Sequence, residues 1–234
     1  MKQKKEEIKN IIEFLKTPRG KMCFFFGFYI LFFTVLAILF HYDEKADKTK
    51  QDIDKRLPFS VSNIESRNYH FKYSYNIDDK SYIYEGDRNK DKQLFNYNDA
   101  THYGNGDIYS VKKENTWETE EDPYIMSNFL DINKIVDIAL KSKIVSKTQY
   151  ESGMRVYTYQ ISTTTLVKLL ERENIDLDDP VNKIIFKTDE ANRVNDIKYN
   201  LTSYCKYKNI SKNTCKIELE YSKFGKIKDI KDPE

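Results

Sequence analysis

Hydrophobic and polar positions follow three regimes along this chain. From Met22 to Phe40 nineteen consecutive positions carry no charge and no proline, and Phe, Leu, Ile or Val fills thirteen of them. As a helix such a run reaches about 28 Å, the hydrocarbon thickness of a bilayer. Those thirteen residues favour insertion by on the order of 5 kcal/mol. The pattern predicts a single transmembrane helix over 22–41. Beyond a polar stretch the period becomes two. Phe71, Tyr73, Tyr75 and Ile77 alternate with Lys72, Ser74 and Asn76, as in a half-buried strand. Asp78-Asp79-Lys80 turns the chain into Ser81 to Arg88, then come Gln93 to Tyr97, a segment to Tyr103, a hairpin turn at Gly104-Asn105-Gly106-Asp107 and a strand to Lys112. A meander of four or five antiparallel strands is expected.

The period then switches to that of a helix. Ile132, Ile135, Val136, Ala139 and Leu140 form one apolar stripe behind Asp131, a good N-cap, with Lys141 and Lys143 at the C-terminal end. Ile144 to Tyr150 and Met154 to Ile161 read as a hairpin around Ser152-Gly153, and Ser162 or a following Thr caps a second helix with Leu166, Leu169 and Leu170 inward. Trp117 precedes a stretch (Glu118, Glu120, Glu121, Asp122, Pro123) that lacks the residue spacing of a calcium loop and reads as a solvated acidic loop. Asp176, Asp178 and Asp179 read the same way.

The last third alternates strictly. Lys183 to Thr188 is a strand and Asp189 to Asn192 a turn. Ile197, Tyr199, Leu201, Ser203 and Cys205 then share one face of a run, and Cys215, Ile217, Leu219 and Tyr221 share one face of the next. Paired as a hairpin centred on Ile210, the runs set Cys205 opposite Cys215, Leu201 opposite Leu219 and Tyr199 opposite Tyr221. Outside the membrane such a cysteine pair oxidises; the alternative is two buried thiols. The spacing is not that of a redox enzyme, which makes a Cys205–Cys215 disulfide structural.

Charge sets the expected topology. Residues 1–21 carry seven cations and three acids, whereas residues 42–56 balance five against five. The positive flank belongs in the cytoplasm, so the C-terminal body is expected outside. No small-residue cleavage site follows the apolar run, which favours an uncleaved anchor over a secretory signal. The expected organisation is a cytoplasmic stub (1–21), a transmembrane helix (22–41), a juxtamembrane stalk (42–59) and an extracytoplasmic β-rich domain (60–234). Residues 42–234 hold 32 cations and 34 acids with signs interspersed, which excludes a nucleic-acid binder. Many Lys, Ile, Asn and Tyr beside few Ala suggest an AT-rich bacterial genome.

Chemical motifs are scarce. His41, His70 and His102 are the only histidines, and no zinc spacing, nucleophile elbow or phosphate loop occurs. No cofactor, metal site or enzymatic activity is expected. Eighteen tyrosines remain to be explained, either as core and cross-strand pairs or as the lining of a ligand cleft.

Tyr69-His70-Phe71 opening the meander, Tyr84-Glu85-Gly86, the strand pair around Lys147-Thr148 and Tyr157-Thr158-Tyr159, and the closing Tyr221 to Pro233 (YSKFGKIKDIKDP) carry a resemblance. Over roughly residues 60 to 233 the chain resembles the LolA-type lipoprotein carriers and the related LppX-type envelope lipoproteins. The resemblance implies an α+β fold, a curved antiparallel half-barrel with two or three helices on one face, and no catalytic residues. It further implies a lipid or other hydrophobic ligand held between the sheet and the helices headed by Ile132 and Leu166. A membrane anchor in place of a free or lipidated N-terminus departs from that pattern. Two functions stay open: a membrane-tethered binding module for a lipid or hydrophobic ligand, and a structural or sensing platform that contacts another envelope protein.

Overall fold

The computed structural model describes residues 57–175, 177 and 180–233, with isolated positions before them (17, 18, 25, 29 and 32–34). Apart from those positions, the span expected over 22–41 and its cytoplasmic stub lie outside the described residues, as do the stalk up to residue 56 and Asp176, Asp178 and Asp179. Among the described residues no helix is long and apolar enough to cross a membrane. The chain divides into two compact units, Met1–Lys55 and Arg56–Glu234. The second starts inside the segment read as stalk: Leu57 and Phe59 are buried, and the Phe59 ring stacks on Phe186 at 4.7 Å.

Eleven strands form one antiparallel sheet. The first meander comprises β1 (Asn68–Ile77), β2 (Lys80–Asn89), β3 (Lys92–Tyr97), β4 (Ala100–Asn105), β5 (Ile108–Lys113) and β6 (Thr116–Glu120). The second comprises β7 (Lys143–Gln149), β8 (Arg155–Ser162), β9 (Val181–Thr188), β10 (Val194–Asn200) and β11 (Cys215–Ser222). The order is β6-β5-β4-β3-β2-β1-β11-β10-β9-β8-β7, so the meanders join where β1 pairs with β11, and β6 and β7 are left as the two edges. Alternation at β1 holds as expected: Tyr69, Phe71, Tyr73, Tyr75 and Ile77 are all buried on one face.

Among the described residues from 57 onward four α-helices accompany the sheet: α1 (Ser62–Glu65), α2 (Ile132–Lys141), α3 (Thr163–Glu171) and α4 (Thr202–Tyr207). Asp131 caps α2 by accepting from the Asn133 N–H at 2.9 Å, and Ser162 caps α3 by accepting from the Thr165 N–H at 3.0 Å, as their positions before apolar stripes foretell. The stripe of α2 buries Ile135, Val136, Ile138 and Ala139, and α3 buries Leu166 and Val167; Leu140, Leu169 and Leu170 sit at the margins. Because β6 and β7 lie at opposite edges, the connection from Glu121 to Ser142 must cross the whole sheet. A 3-10 turn at Ser127–Phe129 and then α2 carry it over the inner face, where Phe129 meets Tyr199 at 5.4 Å and Tyr204 at 5.6 Å.

Two expectations need correction. Trp117, Glu118 and Glu120 belong to β6 and not to a loop, with Glu118 paired to Lys113 at 2.6 Å and Glu120 to His102 at 2.6 Å. The run through Cys205 also does not stay extended. It leaves the sheet after Asn200 and turns into α4, so Ile197 faces Leu219 and Tyr199 faces Ile217, four residues off the expected register. An offset of four is even, and the apolar face is therefore preserved. The disulfide survives the change: Cys205 on α4 bonds Cys215 at the start of β11, their Cα atoms 6.2 Å apart. Closing a loop of ten residues stabilises by about 2–3 kcal/mol on the chain-entropy account. Asp78, in the β1–β2 turn, holds the same loop from the other side by accepting from the N–H groups of Lys212, Asn213 and Thr214 at 2.9, 2.7 and 3.0 Å.

Two outcomes follow for stability. Tyr84 and Tyr199 are both fully buried; the Tyr84 hydroxyl donates to the Pro123 carbonyl at 2.9 Å, whereas the Tyr199 hydroxyl meets no protein partner. Tyr84→Phe is expected to cost about 1–2 kcal/mol in denaturant unfolding, and Tyr199→Phe to be neutral or stabilising. Equal losses would break this account. The three N–H donors hold the Asp78 carboxyl below its ordinary value of 3.8. A lowered value means stability present above 3.8 and lost as pH falls through the folded value. Asp78→Asn, which tolerates the positive φ of 50° there, should melt below wild type at pH 7, with the gap closing at pH 2 to 3.

Candidate functional site

The inner face of the first meander is built of rows that run across the strands. In one row Phe71, Gly86, Phe95, His102, Val111 and Glu118 stand in register from β1 to β6. In the next, nearer the end of β1, the row reads Tyr69, Arg88, Gln93, Gly104, Tyr109 and Glu120. Each row contains a glycine where neighbouring side chains need the room. A Cβ on Gly86 would lie 2.2 Å from the Leu94 carbonyl oxygen and 2.5 Å from the Phe95 Cα, and one on Gly104 would lie 2.7 Å from Gln93 Nε2. Both are places of close approach, by the β3 backbone at Gly86 and by the Gln93 and Tyr109 side chains at Gly104.

Tyr124, on the connection that crosses the sheet, lies over the aromatic side chains of this face. Its ring packs on Phe95 at 5.2 Å, Tyr84 at 5.0 Å, Tyr73 at 6.1 Å and Tyr109 at 6.1 Å, and its hydroxyl donates to Gln93 Oε1 at 3.0 Å. Beside it, over the second row, an opening of about 310 Å³ remains. Tyr69, Tyr73, Tyr109 and Tyr124 wall it with Arg88 and Gln93, and Leu130, Asp131 and Ile132 at the start of α2 close its far side. Burial pushes the phenols of Tyr73 and Tyr124 well above their ordinary value, so both remain neutral donors.

Arg88 is the one strand residue that puts a full charge into this row beside Glu120, and Glu120 is engaged by His102. Its Nε–H donates to the Lys90 carbonyl at 3.1 Å, and Tyr69 stands beside it in register on β1. Burial draws the guanidinium's pKa down, and the surrounding tyrosines, Tyr69 first, raise it by more. Among the described residues no carboxylate forms a salt bridge with it. Arg67, at the rim, is paired with Asp91 at 2.5 Å.

A second, larger groove of about 610 Å³ lies on the outer face. There the C-terminal segment after β11 runs back over the strands. Asn68 fixes Ile227 through both its amide groups at 2.9 and 3.0 Å, and Asp232 accepts from the Tyr103 hydroxyl at 2.5 Å and from Lys92 Nζ at 2.8 Å. Leu94, Tyr103 and Trp117 form its floor and Ile227, Ile230 and Pro233 its roof.

Of the expected ligand space between the sheet and the helices headed by Ile132 and Leu166, the opening at the start of α2 is the open part, and the bodies of the two helices pack closely on the sheet. Ile135, Ile138, Leu166, Ile184, Phe186 and Tyr199 are all fully buried there. Cys205 and Cys215, the site residues named from the sequence, form the disulfide and lie away from the opening. Arg88, Gln93, Tyr109 and Tyr124 escaped sequence reasoning. Parity along β2 carries a signal for Arg88, since it stands two and four positions from Gly86 and Tyr84 on the apolar face. Tyr124 carries none, because a residue buried by a crossing connection obeys no local period.

No protein-family profile matches the sequence, and no curated protein matches it. Among solved structures the chain is similar in fold to the Mycobacterium tuberculosis lipoprotein LppX (13% identity, 77% of this chain and 99% of that one, TM-score 0.47). It is also similar to LprF from Mycobacterium bovis (8% identity, 78% and 97%, TM-score 0.44) and to a LolA superfamily protein from Nitrosomonas europaea (8% identity, 77% and 94%, TM-score 0.27). The likeness is one of architecture, in keeping with the resemblance noted in the sequence; at these scores it assigns no ligand and no residue.

Proposed function

We propose that the body is a binding module for a lipid or other hydrophobic ligand, tethered by the 22–41 span to the outer face of the cell membrane with its N-terminus in the cytoplasm. The observation that carries this reading is the opening over the second row of the inner face, walled by four tyrosine rings and by Leu130 and Ile132. The rings and the two aliphatic side chains share the opening with a larger polar lining that includes Arg67, Arg88, Gln93, Asp107 and Asp131, a composition that suits the polar end of an amphiphile. At about 310 Å³ the opening takes the end of an amphiphile and leaves the remainder of its chain outside. It lies between the sheet and the head of the helix at Ile132, one part of the cleft expected from the sequence, whereas beside Leu166 the side chains are packed.

The outer groove favours a second reading, a platform for another envelope protein, because Leu94 on its floor is 40% exposed beside Trp117. The two readings separate by position. A photo-crosslinking residue at Tyr109 should capture lipid under the first, and one at Leu94 should capture protein under the second.

Native mass spectrometry of the full chain released from membranes is expected to show a one-to-one lipid adduct, reduced severalfold by Gly104→Leu, whose side chain would displace Gln93 and Tyr109. A chain that is ligand-free throughout would overturn the binding reading. Protease added to intact cells is expected to digest the body; digestion only after permeabilisation would reverse the proposed orientation.

A further inference from the structure

The opening on the inner face contains a cation that the fold does not neutralise. Arg88 stands in register between Tyr69 on β1 and Gln93 on β3, half-buried, with its Nε–H on the Lys90 carbonyl and no carboxylate in salt-bridge range among the described residues. The other charges lining the opening are accounted for. Arg67 pairs with Asp91, the Asp131 carboxylate caps α2, and Asp107 lies exposed in the turn after β4. Around Arg88 stand further donors: the amide of Gln93, whose oxygen is already taken by Tyr124, and the hydroxyls of Tyr69, Tyr73 and Tyr109.

Guanidinium groups set among aromatic walls suit oxyanions, because a planar fork of N–H groups donates to two oxygens at once and the rings exclude competing water. We propose that the Arg88 site receives the anionic oxygens of an amphiphile, a phosphate or carboxylate, and that the adjoining chain lies against the rings of Tyr73 and Tyr124. This rests on the reading of the same opening as the ligand site and adds the charge of the ligand. Hydrogen bonds to a charged partner in such surroundings discriminate by about tenfold to a hundredfold against an uncharged analogue.

The test uses the full chain in nanodiscs of zwitterionic lipid, titrated with three soluble probes: dihexanoylphosphatidate, dihexanoylglycerol and inorganic phosphate. Calorimetry should show the phosphatidate binding at least tenfold more tightly than the neutral glyceride. Arg88→Gln should erase that preference at an unchanged melting temperature, and Arg88→Lys should restore part of it. Saturable binding of inorganic phosphate that is lost in Arg88→Gln would support the oxyanion site and identify a free anion as able to fill it. Equal affinity for phosphatidate and glyceride would overturn the anionic assignment and leave the ligand site standing. Binding of none of the three would overturn both.

Discussion

The connection between β6 and β7 is the constraint on which the architecture depends. Its two ends lie at opposite edges of an eleven-stranded sheet, so some twenty residues must traverse the inner face. A segment laid over an apolar surface must satisfy its own backbone and bury its own apolar side chains. It does the first with a 3-10 turn and a capped helix, and the second with Tyr124, Met126, Phe129 and the stripe of α2. The curved sheet thereby acquires a lining without closing into a barrel. Its β6 edge carries Glu118 and Glu120 and its β7 edge Lys143 and Lys147, charges that discourage edge-to-edge pairing within either strand type.

The same traverse divides the concave face in two. Over β7 to β11 the helices α2, α3 and α4 fill the interior with aliphatic and aromatic side chains, and the hydroxyls of Tyr159 and Tyr199 are enclosed there without a protein partner. Over β1 to β5 only the leading part of the crossing segment covers the sheet, and a single ring does most of the filling. At Gly86 the β3 backbone comes too close for a side chain, and at Gly104 the side chains of Gln93 and Tyr109 take the space, so both glycines serve close packing within the sheet.

What was legible in the sequence was whatever local period controls. A strand with one face on the core must alternate, and β1, β2, β3, β9 and β11 can be read from Tyr, Phe and Ile at every second position. A helix on a sheet must carry a stripe and a cap, and Asp131 and Ser162 mark α2 and α3. The cysteine pair shows how a correct contact can come from an incorrect register. Both the expected hairpin and the observed α4 bring Cys205 to Cys215, because the helix takes up the four residues by which the pairing of β10 and β11 shifts. No periodic signal marks the departure at Leu201, since a helix of six residues is too short to establish one. The acidic segment after Trp117 was misread for a related reason. Its carboxylates suggest solvent, but Glu120 faces inward onto a buried histidine, and only the sheet order reveals that partner.

A charge on the buried face of a strand is the kind of local inconsistency that tends to mark function, since natural sequences agree with their folds nearly everywhere else. Arg88 and Glu120 are the two such charges in their row, on either side of Gly104. Their treatment by the fold differs. Glu120 is answered by His102 at 2.6 Å, and that histidine is itself stacked on Phe95 and bonded to the Tyr97 carbonyl at 3.2 Å, so the acid is locked into a structural network. Arg88 is answered only by a carbonyl and by neutral phenols. A structural role would have placed a carboxylate beside it, as the sheet does for Lys187 with Asp196 and for Lys198 with Glu218. The difference between a charge that is neutralised and one that is merely solvated by phenols separates Glu120, which belongs to the packing of this face, from Arg88, on which the proposed anion site rests.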